Sequence, residues 1–349
     1  MPASDHLAEN RALADRLRGL KAPVSIAVTR DLFRRHPEWD AQYGPSGSQY
    51  CEADIGMHLE FLAAAIEVDR MSSFEEYARW SSRLLNARGI PVAHLLETLS
   101  AIRSHLTLSL PPSEVQLIAA LVQAAQTACS APTALTSPRI GLEDSRSVYL
   151  DAILTGQRKA ALTVAKEALR SMSIGGVYSD VLQEAMYEVG RLWESGRISV
   201  AIEHMATAIT QAVMGQLYLS LPASAQVRGK VVVTGVQGEL HQIGAHMVAD
   251  VLEADGWDVR FLGTNMPHDG ILKAIEDHRA DRVCISTTML FNVPKAIRLI
   301  TDIRAQFVGS RILVGGAVFR LTPGLWQDIG ADGFSADLKG CLEAAKNLS

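Results

Sequence analysis

The sequence from Lys230 onward alternates short β-branched runs with segments of helical length. The first run, residues 231–234, precedes a helix-like segment that ends near Asp255, and three similar runs and a short fifth one follow. Strands that alternate with helices predict right-handed βαβ units and a parallel sheet. We therefore expect residues 228–349 to form a Rossmann-like, flavodoxin-like α/β domain with five strands.

The residues before this domain have the apolar periodicity of helices and no alternating strand pattern. Residues 1–130 are predicted to be an all-α domain. Residues 142–222 are divided by glycines into four helical segments, which predicts a four-helix bundle. Residues 131–141, which are rich in proline, serine and threonine, are expected to be a linker. The chain is thus predicted to be multidomain.

Composition and charge exclude several classes of function. The net charge is -5 and the sequence holds no basic run, so we expect no direct binding to nucleic acid. The four cysteines lie far apart, which predicts reduced thiols in a cytosol and neither a zinc site nor a disulfide framework. No apolar run reaches the roughly 18 residues that a membrane span needs, so we expect a soluble cytoplasmic protein.

Three motifs follow three of the predicted strands. They are Glu239-x-His241-x-x-Gly244 after the first strand, Ser286-x-Thr288 after the third and Gly315-Gly316 after the fourth. The gaps between successive motifs are 41 and 26 residues. The carboxyl ends of strands are where open α/β sheets bind ligands, and a carboxylate beside a histidine can fix the tautomer of its imidazole. These motifs therefore predict a binding site at one edge of the sheet.

The motifs and their gaps resemble the cobalamin-binding fold of methionine synthase, the corrinoid mutases and their light-sensing relatives. The family signature is D-x-H-x-x-G, then S-x-L, then G-G; here Glu239 replaces the aspartate and Thr288 replaces the leucine. The resemblance implies that His241 is the lower axial ligand of cobalt and that Glu239 accepts its other N–H. It further implies a nucleotide tail buried beside the remaining cofactor-binding candidates: Gln242, Ile243, Gly244, Ser286, Thr288, Gly315 and Gly316.

A second motif lies in the predicted bundle. Trp193 and the pair Glu203-His204 are similar to the W-x9-E-H motif in the four-helix cap of the CarH-type light sensors, which bind adenosylcobalamin. This resemblance implies that Trp193 covers the upper face of the corrin and that Glu203 and His204 line the pocket of the adenosyl group. Glu194 stands where those sensors have a histidine that binds cobalt after illumination. The cobalt ligand of the light state is therefore open, with His204 as one alternative.

The N-terminal domain resembles, by helix pattern, the globin-like sensory domains of stress-signalling proteins. It also resembles the bilin-binding domain of the photoreceptors called photocobilins, whose domain order this chain shares. The resemblance implies a bound biliverdin, or a haem with an axial histidine. The candidate contacts are His58, His94 and His105, with Cys51 as a possible covalent site and Arg79, Arg83 and Arg103 for the propionates.

These resemblances together predict a photoreceptor that is not an enzyme. Light would cleave the cobalt–carbon bond of adenosylcobalamin, and loss of the adenosyl group would change the conformation or the oligomeric state of a homo-oligomer, such as a dimer. Biliverdin would be the second chromophore, and a protein partner could receive the signal. The alternative is a corrinoid protein that carries methyl groups for a methyltransferase partner, and a third possibility is a cobalamin-linked haem or redox sensor.

Overall fold

The computed structural model describes residues 2–129, 145–221 and 228–348, and the chain divides into two compact units. The first unit spans residues 1–135 and the second spans residues 136–349. The predicted linker, residues 131–141, lies outside the described residues. No helix within the described ranges is both long enough and apolar enough to cross a membrane.

The first unit is helical, as predicted, and residues 2–129 contain no strand. Apolar residues of its third helix recur every three or four positions, and Ile55, Leu59, Leu62 and Ile66 are all fully buried or nearly so. The globin-like assignment of this unit stays a prediction. The helices are α1 (Pro2–Arg35), α2 (Glu38–Tyr43), α3 (Gly47–Glu67), α4 (Ser72–Ala87), α5 (Val92–Thr107) and α6 (Pro112–Cys129).

The second unit begins with helices that pack around the buried side chains of Tyr149 and Tyr178. Ser173 and Ser199 begin two of the helices, because each side chain accepts a hydrogen bond from a backbone N–H three residues later. One long helix contains a π-helical segment, Val177–Gln183, between α9 and α10. The helices are α7 (Ser145–Leu154), α8 (Arg158–Ala168), α9 (Ile174–Gly176), α10 (Glu184–Glu194) and α11 (Val200–Tyr218).

The rest of the second unit is a sheet of five parallel strands in the order β2-β1-β3-β4-β5, which confirms the predicted Rossmann-like fold. The strands are β1 (Gly229–Gly235), β2 (Trp257–Phe261), β3 (Arg282–Ser286), β4 (Arg311–Gly315) and β5 (Gly333–Ser335). The helices are α12 (Ile243–Ala254), α13 (His268–His278), α14 (Val293–Gln306), α15 (Ala317–Leu321), α16 (Leu325–Asp328) and α17 (Leu338–Asn347), with a short 3-10 turn, Leu290–Asn292, before α14.

The register of the sheet brings the three motif-bearing strands to one level. The last residue of β1, Gly235, pairs with Ser286, which in turn pairs with Gly315. The strand order reverses direction between β1 and β3, and sheets of this order bind ligands at that switch point. The three motifs therefore meet at the carboxyl edge of the sheet, beside its switch point.

The helical bundle shares an apolar core with two helices of the sheet domain, α12 and α17. Met247 and Val251 of α12 and Leu338 of α17 are buried among the bundle side chains. The Tyr178 hydroxyl donates to Asp250 Oδ2 of α12 at 2.6 Å, and both side chains are buried. A buried hydrogen bond to a carboxylate is among the stronger ones in proteins, so it fixes the bundle firmly against α12.

Candidate functional site

The loop between β1 and α12 presents His241 at the carboxyl edge of the sheet. Its Nδ1 lies 2.6 Å from Glu239 Oε1, and its side chain is 56% exposed whereas that of Glu239 is fully buried. Because the carboxylate can only accept, Nδ1 carries the proton and the lone pair is on Nε2. Within the described residues Nε2 has no hydrogen-bond partner. The structure thus offers a fixed, accessible imidazole nitrogen.

Glu239 is a buried hydrogen-bond acceptor whose pKa is lowered by its partners. Its Oε1 also accepts from the backbone N–H of His241 at 3.1 Å, and its Oε2 accepts from the backbone N–H of Thr288 at 2.8 Å. Burial disfavours the charge, but the hydrogen bonds from His241 and the backbone N–H groups outweigh burial and lower the pKa of Glu239 to about 2. Thr288 therefore supports Glu239 through its backbone N–H, and this contact does not depend on the side chain at position 288.

Asn292 is a functional candidate that the motifs did not identify. It lies in the 3-10 turn after β3 and is fully buried, and its Nδ2 donates to Glu239 Oε2 at 3.1 Å and to Gly238 O at 3.2 Å. An amide within the apolar segment between a buried strand and the next helix was the available sequence signal, because buried amides require partners. Asn292 thus holds both the loop backbone and the carboxylate that orients His241.

The three motif glycines differ in how closely other atoms pack against them. Gly316 has φ +108°, and a Cβ there would lie 2.2 Å from Thr287 O, so close packing of the loops after β3 and β4 requires glycine. A Cβ on Gly315 would make an ordinary contact, 3.5 Å from Ser335 O. A Cβ on Gly244, the second residue of α12, would meet nothing within 4 Å. Gly244 therefore leaves open space beside His241.

The remaining candidates of the sheet occupy this same edge. Ser286 is half-buried at the end of β3, and the next residue, Thr287, is fully buried with no hydrogen-bond partner for Oγ1 in the described structure. Gln242 precedes α12, and its carbonyl accepts from the N–H of His246 at 2.9 Å. Ile243 packs against the apolar core shared with the bundle. Gln242 and Ile243 thus begin the helix that follows the His241 loop.

The helical bundle extends toward the same edge of the sheet. Tyr178 of the bundle contacts Asp250 in the middle of α12. The helix that carries Tyr178 continues into α10, where the ring of Tyr187 lies 5.2 Å from the guanidinium of Arg320 on α15, the helix that follows Gly316. Trp193 is another six residues along, or about 9 Å at the α-helical rise. The end of α10 therefore reaches the side of the sheet on which His241 lies.

Glu203 and His204 stand on α11, which runs back along α10. Thr210 Oγ1 of α11 lies 3.3 Å from Met186 Sδ of α10, which places the start of α11 level with Trp193 at the end of α10. His204 Nδ1 lies 2.6 Å from Glu203 Oε2, and the His204 side chain is 75% exposed. The predicted upper-face residues are thus brought together at one tip of the bundle.

The candidates of the first unit are engaged by other side chains. His58 is buried, its Nδ1 lies 2.7 Å from the Tyr77 hydroxyl, and burial lowers its pKa to about 4. His94 Nδ1 lies 2.7 Å from the Tyr43 hydroxyl, and no hydrogen bond or ring contact joins His94 to His58 in residues 2–129.

His105 and Arg79, two other candidates of the first unit, contact groups of their own helices. His105 Nδ1 donates to Ala101 O at 2.9 Å, and Arg79 forms ion pairs with Glu75 and Glu76. Burial raises the pKa of Cys51 to about 11, so this thiol stays protonated. All four cysteines are free in the structure. Biliverdin binding by this unit stays a prediction.

Comparisons with known proteins agree with the geometry of the second unit. Residues 146–218 match a B12 binding domain model, and residues 229–338 match another B12 binding domain model. The chain is a cobalamin-binding protein.

Relatives of this cobalamin-binding protein include dimethylamine corrinoid protein 2 of Methanosarcina mazei, which is 26% identical over 203 residues, 57% of this chain and 94% of that protein. Methionine synthase of Mycobacterium leprae is 24% identical over 173 residues, 47% of this chain and 14% of that protein. The solved monomethylamine corrinoid protein of Methanosarcina barkeri has the same fold over 60% of this chain and 100% of its own, with a TM-score of 0.53 and 19% identity. The CarH-type and photocobilin resemblances remain predictions.

The residues of this cobalamin-binding protein fit its cofactor. Cobalamin would need one imidazole nitrogen from the protein, and Nε2 of His241 would be available to supply it. The open space beside Gly244 and the unpartnered buried hydroxyl of Thr287 lie at the same edge of the sheet. In the described ranges no three histidine, cysteine or acidic side chains form a metal site of another kind.

Proposed function

We propose that this chain carries methyl groups on cobalamin for a methyltransferase partner. The observation that carries the proposal is the His241–Glu239 pair, held at the switch point of the sheet inside a B12 binding domain. Relatives that match 57% of the chain are named corrinoid proteins, and dimethylamine is part of their names. When bound, the cofactor supplies a cobalt that accepts and releases a methyl group.

The chain's own residues would bind, orient and shield. Glu239 stays ionised, so it keeps the proton on His241 Nδ1 and makes Nε2 a more basic ligand. Ser286 and Gly244 would border the nucleotide tail. Trp193, at the tip of the bundle, would cover the upper face with a large apolar ring. We propose that the chain is not itself an enzyme and that the partner binds the methyl donor.

The test replaces the ligand and a matched histidine in the full chain. His241→Ala should lose the absorption spectrum of histidine-ligated methylcobalamin and bind methylcobalamin about 10 to 100-fold more weakly. His268→Ala is the control, because its imidazole also pairs with a carboxylate, Asp302, at 2.7 Å, but on α13. A His241→Ala protein with the spectrum and affinity of the unmodified chain would contradict the proposal.

A second candidate function is the adenosylcobalamin photoreceptor. Two observations favour it: the tip formed by Trp193, Glu203 and His204, and the helical first unit, because a match that covers 57% of the chain leaves a large part of it unmatched. In this candidate Trp193 packs on the adenosyl group, and His58 and His94 contact biliverdin in a homo-oligomer. The named corrinoid relatives favour the methyl carrier over this photoreceptor.

The two functions differ in cofactor preference and in their response to light. The methyl carrier should bind methylcobalamin at least as tightly as adenosylcobalamin, and green light should leave the hydrodynamic size of its adenosylcobalamin complex unchanged. The photoreceptor should prefer adenosylcobalamin and change its size on illumination. Size-exclusion chromatography in the dark and under green light, with both cofactors, therefore separates them. An absorption spectrum after supply of biliverdin tests the first unit.

A further inference from the structure

Side chains from two other segments hold the backbone of the loop that presents His241. Lys295 Nζ of α14 donates to Gln237 O at 2.8 Å, and the N–H of Gly238 donates to Asn265 Oδ1 at 2.8 Å. Asn292 Nδ2 donates to Gly238 O. Backbone groups of surface loops usually hydrogen-bond to water. Here three of them hydrogen-bond to side chains, which fixes the loop before any ligand binds.

The two supports approach from opposite sides of β1. Asn265 lies in the loop after β2, and Asn292 and Lys295 follow β3. Asn265 has φ +59°, a left-handed conformation that costs a non-glycine residue some free energy. The His241 loop is therefore held by hydrogen bonds from the segments that follow both neighbouring strands. One of the residues that hold it, Asn265, has a left-handed backbone conformation.

Lys295 fits the loop closely. Gly238 has φ +88°, and a Cβ there would lie 2.7 Å from Lys295 Nζ and 3.2 Å from Asn292 Oδ1. The ammonium group thus occupies the space that a side chain at position 238 would need. The glycine and the lysine are complementary at this point of the loop.

Lys295 also determines which way the Asn292 amide points. An ammonium group only donates, and Lys295 Nζ lies 3.3 Å from Asn292 Oδ1, so the amide oxygen must face Lys295. The amide nitrogen then faces Glu239 Oε2, at 3.1 Å. Glu239 in turn holds His241 Nδ1 at 2.6 Å. A chain of three oriented contacts thus runs from Lys295 to the imidazole.

We propose that Lys295 is a positioning residue for His241. It fixes the Asn292 amide and the Gln237 carbonyl, and so keeps Nε2 of His241 aimed at the site without reorganisation when cobalamin binds. The inference rests on the proposed role of His241 as the cobalt ligand. Its contribution is the geometry of that ligand, and not a contact with the cofactor.

The test compares Lys295→Met with Lys273→Met in the full chain. Lys273 is a matched control, because its ammonium is exposed on α13 and pairs with Glu276 and Asp277. The readouts are the affinity for hydroxocobalamin and the histidine-nitrogen splitting in the EPR spectrum of bound cob(II)alamin, identified with nitrogen-15 histidine. Lys295→Met should bind about tenfold more weakly and lose part of the splitting. Lys295→Arg, which keeps a cationic donor, should recover part of both.

The outcomes separate a failure of the proposed role of His241 from a failure of the inference about Lys295. If the unmodified chain shows no histidine splitting, the proposed role of His241 fails, and the inference fails with it. If the unmodified chain shows the splitting and Lys295→Met keeps it in full, only the inference is overturned, even where affinity falls. If Lys295→Met does not fold, Lys295→Gln is measured in its place, since glutamine is polar at this half-buried position but lacks the ammonium group that contacts both Gln237 O and Asn292 Oδ1. Full splitting in that variant would likewise overturn the inference.

Discussion

Tyr178→Phe tests whether the bundle is locked to the sheet by one buried hydrogen bond. The change removes only the hydroxyl that donates to Asp250 Oδ2 at 2.6 Å, and the ring stays in the core without a cavity. Asp250 then stays buried beside His246, whose Nε2 lies 3.6 Å from Asp250 Oδ1. A hydrogen bond to a charged group contributes about 1.5 to 3 kcal/mol, so we expect a loss of about 2 kcal/mol in the free energy of unfolding.

The pH dependence of this loss has a definite sign. Burial raises the pKa of Asp250, and the hydrogen bond from Tyr178 opposes that rise. Without the hydroxyl, the folded-state pKa of Asp250 rises further above its unfolded value, so the folded protein binds more protons and its stability falls as pH increases. The loss caused by Tyr178→Phe should therefore be larger at pH 8 than at pH 5.

The assay is urea unfolding of the full chain, with amide hydrogen exchange of α12 to identify the transition of the second unit. Tyr218→Phe is the matched control: its hydroxyl donates to Glu253 Oε1 at 2.8 Å, but the tyrosine is 41% exposed. Exposed pairs contribute little, so we expect a loss below about 1 kcal/mol. Equal losses for the two variants, or a larger Tyr178→Phe loss at pH 5, would refute the reasoning.

Two further predictions concern a glycine pair and a buried histidine. Gly316→Ala should lower the free energy of unfolding by about 3 kcal/mol or more, because its Cβ meets Thr287 O at 2.2 Å. Gly244→Ala should keep or raise stability by about 0.5 kcal/mol in α12 while it weakens cobalamin binding, and equal effects of the two changes on urea unfolding would contradict this. His58 has a pKa lowered to about 4 from 6.5 by burial, so the unfolded chain binds more protons and stability is lost as pH falls below 6.5. Between pH 7 and pH 5 the first unit should lose about 2 kcal/mol through His58, and a His58→Gln variant with an unchanged pH slope of urea unfolding would show that another group is responsible.

The parallel sheet and the place of its site could be predicted from the sequence because both follow from local patterns. β-branched runs separated by helical segments specify the strands, and ligand-binding residues of such sheets follow their carboxyl ends. The pairing of Glu239 with His241 is also local, since the two residues are two positions apart. The cobalamin prediction depended on motif spacing, and the two B12 binding domains confirm it.

Contacts between distant segments could not be predicted in the same way. Asn292 and Lys295 reach the His241 loop across more than 50 positions of sequence, and only the placement of β3 beside β1 brings them there. The buried state of His58 likewise depends on α4, whose Tyr77 covers its Nδ1. The apolar periodicity showed which face of each helix is buried, but it did not show which polar side chains would be buried beside that face.

The π-helical segment Val177–Gln183 sets the direction in which the side chains of α10 point around the helix axis. An α-helix turns about 100° per residue, so removal of one residue from the widened turns would rotate Trp193 and Glu194 by about that angle relative to Tyr178. Tyr178 would keep its place against α12, while the indole would leave the helix in another direction. One additional residue therefore determines which aromatic and acidic side chains the bundle can present at its tip.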